Sequence, residues 1–150
     1  MIYNSEQINI SHLQLDDALQ LNKLLVSNTE RFTRFLPKTL ADNRTLESTN
    51  RYIKRKMDSA KNKDEFVFAI KDKYRHNIIG LIILKNIDWS IKQGEFAYCI
   101  GQPFKGQGLM TEAIKAATKF AVEDFGLKTL QIIAHKTNLA SVKVAKKSGF

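Results

Sequence analysis

A short glycine-containing loop, residues 102–108 (QPFKGQG), is the sharpest chemical signal in the sequence. It lies between a predicted strand and a long predicted helix. Gly106 and Gly108 allow main-chain N–H groups to turn outward, and the helix start adds partial positive charge. Lys105 adds a formal charge, so the combination predicts an anion site suited to phosphate. The spacing matches neither a Walker A loop nor a dinucleotide fingerprint, and a tight strand-to-helix turn explains the same residues without a ligand.

The elements around this loop follow from hydrophobic periodicity and from capping residues. Helices are predicted over 16–27, 45–61, 110–125 and 138–147, and strands over 65–71, 78–84, 93–100 and 130–134. Along the chain, the first predicted element is a helix, and the first predicted strands are antiparallel. The strand–helix–strand unit around the loop implies a right-handed parallel crossover. The sequence therefore predicts a mixed α/β domain over 1–150.

Composition and charge narrow the class of protein. The 150 residues suit one domain, and the formal net charge is +9. Residues 31–63 carry ten Lys and Arg against three acids, which indicates either a surface that binds anionic partners or a solvated helix face. No apolar run is long enough to span a membrane, and the first residues do not form a signal peptide, so we expect a cytoplasmic protein with no membrane contact.

Cysteine and histidine give little support for other chemistry. Cys99 is alone, which excludes an internal disulfide and a multi-cysteine metal site. We expect it to be a buried, inert thiol. His12 and His76 lack metal-ligand spacing, and His135 is expected at the surface. No metal site is predicted.

The C-terminal two-thirds of the chain resembles the GNAT superfamily of acetyl-CoA-dependent N-acetyltransferases. Within it the chain is most similar to the Rim-type branch, the ribosomal-protein-serine/alanine N-acetyltransferases. The motifs that carry this resemblance are YCIG at 98–101, GQG at 106–108 followed by MTEA at 110–113, Asn138-x-x-Ser141, and KSGF at 147–150. Three upstream segments also fit, namely FLP at 35–37, IGL at 79–81 and NID at 86–88.

The resemblance implies a GNAT-like acyl-CoA N-acyltransferase fold, in which helices flank a mixed and mostly antiparallel sheet. Members of the family continue with a C-terminal pair of strands that closes the acceptor side. The sequence ends at Phe150, so we expect the pair to be absent and the domain to be short at its C-terminus, either because the sequence is a shortened chain or because the protein lacks these strands. An exposed strand edge invites pairing, and a homodimer stays open as a partner.

The resemblance also implies a set of residues that bind acetyl-CoA, the co-substrate. Main-chain N–H groups of the loop and helix start hold the pyrophosphate, main chain of the preceding strand pairs with the pantetheine arm, and an asparagine contacts that arm. Carried over, these are Lys105, Gly106, Gln107, Gly108, Met110 and Thr111, then Tyr98 and Ile100, then Asn138. Lys105 stands where the family usually has Arg or Gln, and Met110 stands where it has Gly or Ala.

Two catalytic residues follow from the same resemblance. Glu95 occupies the position of a base that acts directly or through water, although it could be an edge-strand surface residue. Ser141 resembles the serine that protonates the leaving thiolate, although it could be a helix residue without contacts. Asn138 could simply cap a helix, and Tyr98 could line the acceptor cleft or pack in the core.

The implied activity is acetyl transfer from acetyl-CoA to a primary amine. The leading acceptor is the N-terminal α-amine of a protein, possibly ribosomal in origin, and the basic 31–63 segment would suit docking on the ribosome or RNA. One alternative is acetylation of a small amine such as an antibiotic or a polyamine. Another is a non-catalytic module that binds acyl-CoA or RNA.

Overall fold

The structure is a computed structural model that describes residues 1–132 and 149. The described residues form the strands Tyr3–Asn4 (β1), Ile8–His12 (β2), Phe66–Asp72 (β3), Ile78–Asp88 (β4), Gln93–Ile100 (β5) and Thr129–Ile132 (β6). They also form the helices Ala18–Ser27 (α1), Thr29–Phe35 (α2), Pro37–Ala41 (α3), Leu46–Lys61 (α4) and Leu109–Glu123 (α5). A 3-10 turn, Leu15–Asp17, precedes α1.

The strands form a single sheet in the order β1-β2-β3-β4-β5-β6. All neighbouring pairs are antiparallel except β5 and β6, which are parallel and are connected through α5. A bulge interrupts the β4–β5 pairing between Lys85 and Asp88. The sheet therefore changes from antiparallel to parallel at β5, directly beside the loop that the sequence singles out.

The sheet has two packed faces, because side chains alternate along every strand. On the α5 face, strand residues such as Ile82 and Phe96 pack with Ala113, Ile114 and Ala117 of α5. On the other face, which we call the helical-layer face, α1 to α4 cover the sheet. There α1 contributes residues such as Leu21 and Leu25, and these pack with strand residues including Leu81 and Cys99.

Local signals explain where the helices begin and end. Thr45 caps α4, since its hydroxyl accepts from the N–H of Ser48 while the Ser48 hydroxyl accepts from the Thr45 N–H. Pro37 stands at the first position of α3, where its missing N–H has no helical acceptor to lose. Gly126 takes the left-handed conformation (φ 70°) just after α5.

The predicted mixed α/β class with a mostly antiparallel sheet is confirmed. The prediction that a helix comes first is wrong, because β1 and β2 precede α1. Ile8 and Ile10 are fully buried on the α5 face, and β2 pairs with β3, which lies more than 50 residues later. The predicted helix over 138–147 and the end of the strand over 130–134 lie outside the described residues. Within the described part of the chain, no helix is long and apolar enough to cross a membrane.

Candidate active site at the β5–α5 junction

The loop after β5 offers an uncapped helix start. Gly106 and Gly108 both have φ of +76°, and Gly108 is the N-cap of α5. Among the described residues no side chain caps this helix, and a Cβ added at either glycine would meet nothing within 4 Å. The first N–H groups of an α-helix have no acceptor within the helix. No side chain of the described residues accepts from these groups, so they can donate to the phosphates of a coenzyme.

The other loop residues leave this space clear. Lys105 is exposed, and the Gln107 amide donates to the carbonyl of Pro103 at 3.0 Å (Nε2 to O). Met110 is only 4% exposed, because its side chain packs into the core of the α5 face. The Met110 side chain, which is larger than the residue usual in the family at this position, thus fills part of the core and does not cover the loop. Thr111 is half-buried in the first turn of α5.

The main chain at the end of β5 presents hydrogen-bonding groups away from β4. The N–H of Gly101 donates to the carbonyl of Ile79 at 2.8 Å, which extends the antiparallel β4–β5 pairing by one residue. In such a pair, successive residues direct their N–H and C=O groups alternately toward and away from the partner strand. Tyr98 and Ile100 therefore direct theirs to the side where β6 lies. Main-chain groups with this direction suit the amides of a pantetheine arm, which pair with a strand as an added strand does.

Glu95 lies on β5 opposite Lys85 of β4 and opposite Gln131 of β6. Its carboxylate accepts a hydrogen bond from Asn86 (Nδ2 to Oε2, 2.9 Å), and Asn86 has the left-handed φ of 50° at the β4 bulge. The side chain is half-buried between two neighbouring strands, so the interpretation of Glu95 as an edge-strand residue is wrong. It precedes Tyr98 by three residues, about 10 Å along a strand.

Tyr98 and Cys99 point to opposite faces. The Tyr98 side chain is half-buried and packs against the core of the α5 face. Cys99 is a buried free thiol on the helical-layer face, and its burial raises the pKa of the thiol to about 12. The prediction that Cys99 is buried is therefore confirmed, and its raised pKa agrees with the expected low reactivity.

A tyrosine of β1 contacts the first turn of α5. The Tyr3 hydroxyl donates to the Glu112 carboxylate at 2.8 Å (Oη to Oε2), and this hydrogen bond, followed by burial, raises the pKa of Tyr3. The contact joins residues 109 positions apart. It fixes the one acidic side chain of the first turn of α5 onto β1.

The sequence did not predict the role of three residues near the junction, although Asn86 lies in the quoted segment 86–88. Asn86 orients Glu95, and Asn28 and Arg31, from the end of α1 and from α2, contact the main chain on either side of Gly101. Arg31 belongs to the basic segment 31–63, whereas nothing in the sequence distinguishes Asn28 from a helix-terminating residue. Two predicted site residues, Asn138 and Ser141, lie outside the described residues, and so does His135, which is predicted to lie at the surface. Within residues 1–132 and 149 no group of three His, Cys, Asp or Glu side chains could hold a metal ion.

Comparison with known proteins shows what this arrangement is similar to. YdaF of Bacillus subtilis (strain 168), which carries a provisional name as a ribosomal N-acetyltransferase, is 28% identical over 150 residues, covering 97% of this chain and 79% of YdaF. The ribosomal-protein-S5-alanine acetyltransferase of Vibrio fischeri has the same fold, with a TM-score of 0.90 at 21% identity over 99% of this chain and 81% of that one. The microcin C7 self-immunity acetyltransferase MccE, solved with acetyl-CoA and AMP, has a TM-score of 0.88 at 24% identity over 97% of this chain and 79% of its own.

The family model of the acetyltransferase (GNAT) domain matches residues 7–150, nearly the whole chain. Transfer of an acetyl group from acetyl-CoA is the activity of that family. The glycine loop and the main chain of Tyr98 and Ile100 before it suit the co-substrate of this reaction. The chain therefore belongs to the GNAT acetyltransferase family, and acetyl-CoA is its co-substrate.

Proposed function

We propose that the protein transfers the acetyl group of acetyl-CoA to the N-terminal α-amine of a protein, and that ribosomal proteins are its acceptor class. One structural observation carries the coenzyme part: the main chain of Tyr98 and Ile100, which is directed away from β4, leads into the loop whose glycines Gly106 and Gly108 have positive φ at the start of α5. The names of YdaF and of the Vibrio fischeri enzyme support the acceptor class. An acceptor on the ribosome implies action in the cytoplasm.

The loop would bind the coenzyme mainly through its main chain. N–H groups of Gly106 to Gly108 and of Met110 and Thr111 would hold the pyrophosphate, whereas the N–H of Lys105 donates to the carbonyl of Gln102 at 3.3 Å. Main chain at Tyr98 and Ile100 would pair with the pantetheine amides. Lys105 would add a charge that neutralises phosphate. Asn138 would contact the same arm.

The chemistry requires one proton to leave the amine and one to reach the sulfur. The neutral amine nitrogen attacks the thioester carbonyl carbon, a C–N bond forms, and the C–S bond breaks. Glu95, oriented by Asn86, would accept the amine proton directly or through water. Ser141 would supply the proton that converts the thiolate of coenzyme A to its thiol.

The coenzyme site is tested by calorimetry of acetyl-CoA binding to Gly108→Val. A β-branched residue cannot easily adopt φ of +76°, so the loop must change its conformation, and we expect the Kd to rise at least tenfold. Gly126→Val is the matched control, since Gly126 has φ of +70°, similarly open surroundings, and lies beyond the other end of the same helix. Equal affinity in both variants would contradict the loop assignment.

The role of Glu95 is tested with Glu95→Gln, which keeps an oxygen that can accept from Asn86. We expect kcat at neutral pH to fall about 100-fold with an unchanged Kd for acetyl-CoA, as removal of a general base requires. Glu123→Gln, an exposed charge change on α5, is the control. An unchanged kcat in Glu95→Gln would exclude Glu95 as the base.

The acceptor class is tested with a panel of amines. Peptides that begin with the N-terminal sequences of ribosomal proteins should be acetylated on the α-amine, as identified by mass spectrometry. Faster acetylation of spermidine or of an aminoglycoside, with inert peptides, would favour a small-amine acetyltransferase. Saturable binding of acetyl-CoA without transfer to any amine would favour a non-catalytic module.

The basic segment 31–63 supports docking on the ribosome. Arg51, Lys54 and Arg55 are exposed along α4, and only Arg55 has an ion-pair partner among the described contacts, Asp42 at 3.5 Å. Arg51→Gln/Lys54→Gln should weaken co-sedimentation with ribosomes and reduce its dependence on salt. Lys115→Gln/Lys119→Gln on the exposed side of α5 is the charge-matched control. Equal sedimentation of both double variants would exclude docking through α4.

The homodimer stays a prediction.

A further inference from the structure

The point where β5 becomes the loop is held by two side chains of the helical layer. Asn28 Oδ1 accepts from the main-chain N–H of Gln102 at 3.0 Å, and Arg31 Nη2 donates to the carbonyl oxygen of Ile100 at 3.1 Å. Arg31 Nη1 also donates to Asn28 Oδ1 at 3.2 Å, so the two side chains are joined. We call this pair the Asn28–Arg31 clamp.

Asn28 of the clamp is buried and Arg31 is half-buried, and the hydrogen-bonding capacity of Asn28 is largely used. Asn28 is 9% exposed, and its Nδ2 donates to the carbonyl of Leu24 at 2.7 Å. The Arg31 guanidinium lies 5.3 Å from the centroid of the Phe32 ring, and its partial burial lowers the pKa of Arg31. A side chain with this many partners can adopt few other positions, so the clamp is a rigid connection between the helices and the strand.

The clamp acts on main-chain groups at the end of β5, next to the proposed binding site of the pantetheine arm. Ile100 is the last residue of β5 and Gln102 is the first residue of the turn before the glycine loop. Between them, the N–H of Gly101 is held from the other side by Ile79 of β4. Three successive main-chain groups are therefore fixed from two directions. The carbonyl of Ile100 has two lone pairs, so the bond from Arg31 leaves one for a further donor.

We propose that Asn28 and Arg31 are positioning residues, which hold the β5–loop junction in the geometry that binds acetyl-CoA. The inference rests on the proposed coenzyme site and goes beyond it, since it assigns part of the coenzyme affinity to helices that do not belong to the loop. Neither side chain is assigned a contact with the reacting atoms. Loss of the clamp therefore weakens coenzyme binding and leaves the chemical step largely unchanged.

The chain contains a matched control for the structural part of this role. Asn43 is fully buried in the same helical layer, and its Nδ2 donates to the carbonyl four residues earlier, that of Thr39, at 2.7 Å. Asn28 makes the same local bond to Leu24. The two residues differ in their oxygen atoms, because Asn43 Oδ1 has no partner among the described residues, whereas Asn28 Oδ1 accepts from Gln102 and Arg31.

The test compares Asn28→Ala, Arg31→Met, the double variant and Asn43→Ala by calorimetry with acetyl-CoA and by steady-state kinetics. We expect Kd and KM for acetyl-CoA to rise about tenfold in each clamp variant, with kcat within twofold of wild type. The double variant should be no worse than the weaker-binding single variant, because both side chains act as one unit. Asn43→Ala should lower the unfolding midpoint without changing the Kd.

Equal Kd values in wild type and Arg31→Met would overturn the proposal, and so would parallel losses of affinity in Asn28→Ala and Asn43→Ala. Arg31 is half-buried, so Arg31→Met gives a folded variant even where Asn28→Ala does not fold. Lys23→Met, at an exposed position of α1, controls for the loss of one positive charge. Failure of the coenzyme site itself is recognised separately, because Gly108→Val would then bind acetyl-CoA as wild type does.

Discussion

The two faces of the sheet are built from different kinds of residue. The core of the α5 face consists of apolar side chains, with Ile82, Phe96 and Ile114 fully buried. In the part of the chain that the structure describes, the buried polar residues belong to the helical layer or to a strand position that faces it: Asn9, Asp17, Asn28, Asn43 and Thr49. The proposed coenzyme loop follows the end of β5.

This difference separates stability from positioning. Apolar contacts on the α5 face contribute stability without direction, since the hydrophobic effect depends on buried area. Hydrogen bonds on the helical-layer face are directional. Asn28 and Arg31 thereby fix the N–H of Gln102 and the carbonyl of Ile100 at the junction. We therefore expect substitutions on the α5 face to change mainly the free energy of unfolding, and substitutions on the other face to affect particular groups.

The largest effect should come from Ile114→Ala on α5. Ile114 is fully buried, and removal of its three outer carbon atoms leaves a cavity in a well-packed core. We expect the free energy of unfolding to fall by about 3 kcal/mol, measured by urea denaturation. Binding of acetyl-CoA at low temperature should stay within twofold of wild type. A tenfold loss of affinity would mean that the two faces are not separable in this way.

A smaller loss is expected for Asp17→Ala on the helical-layer face. One carboxylate oxygen of Asp17 pairs with Lys71 Nζ of β3 at 2.8 Å, and the other accepts from the N–H of Gln14 at 2.8 Å. Asp17 thus joins the start of α1 to the sheet, and its loss should lower the free energy of unfolding by about 2 kcal/mol. Asp16→Ala, an exposed neighbour, should change it by less than about 0.5 kcal/mol. Equal effects in a urea titration would contradict a directed role for this carboxylate.

Tyr52→Phe should stabilise the protein. The Tyr52 hydroxyl is buried on the helical-layer face and has no hydrogen-bond partner among the described residues, and its burial raises the pKa of Tyr52. Removal of an unpaired buried hydroxyl should raise the free energy of unfolding by about 1 kcal/mol. The ring contact with Lys56 Nζ, 5.3 Å from the centroid, stays in place. Tyr74→Phe at an exposed position is the control, and a loss of stability in Tyr52→Phe would show that the hydroxyl has a partner.

Elements that depend on local pattern could be predicted closely. The predicted helix over 45–61 and strand over 93–100 agree with α4, Leu46–Lys61, and β5, Gln93–Ile100, because capping and alternation are properties of neighbouring residues. β2 was missed, since it is a five-residue strand whose pairing partner, β3, lies far along the chain. Short strands of this kind take their conformation from tertiary contacts.

In the candidate site, too, residues with local requirements could be predicted and residues that act through long-range contacts could not. Gly106 and Gly108 are recognisable because positive φ and a helix start are local requirements. The bond between Asn28 and Gln102 joins residues 74 positions apart, and that between Arg31 and Ile100 joins residues 69 apart. No spacing in the sequence predicts such contacts, because they form only when α1 and α2 pack on the sheet.

The smallest effect concerns Cys99 and the dryness of the helical-layer face. Burial raises the pKa of this thiol from 9.0 to about 12, so the folded state keeps the proton that the unfolded state loses above pH 9. Stability must then fall as pH rises between these two values, because the unfolded state binds fewer protons. At pH 9.5 the loss relative to pH 7.5 should be somewhat below about 1 kcal/mol.

Urea denaturation of wild type and Cys99→Ala at pH 7.5 and 9.5 measures this loss. The variant lacks the thiol, so its free energy of unfolding should change less between the two pH values by that amount. A native thiol that stays unmodified by a disulfide reagent at pH 9.5 and reacts in denaturant would agree with it. Equal changes in both proteins would mean that the thiol ionises in the folded state. Water would then reach the polar groups of the helical-layer face. The hydrogen bonds of the Asn28–Arg31 clamp would be weaker than hydrogen bonds in a dry interior.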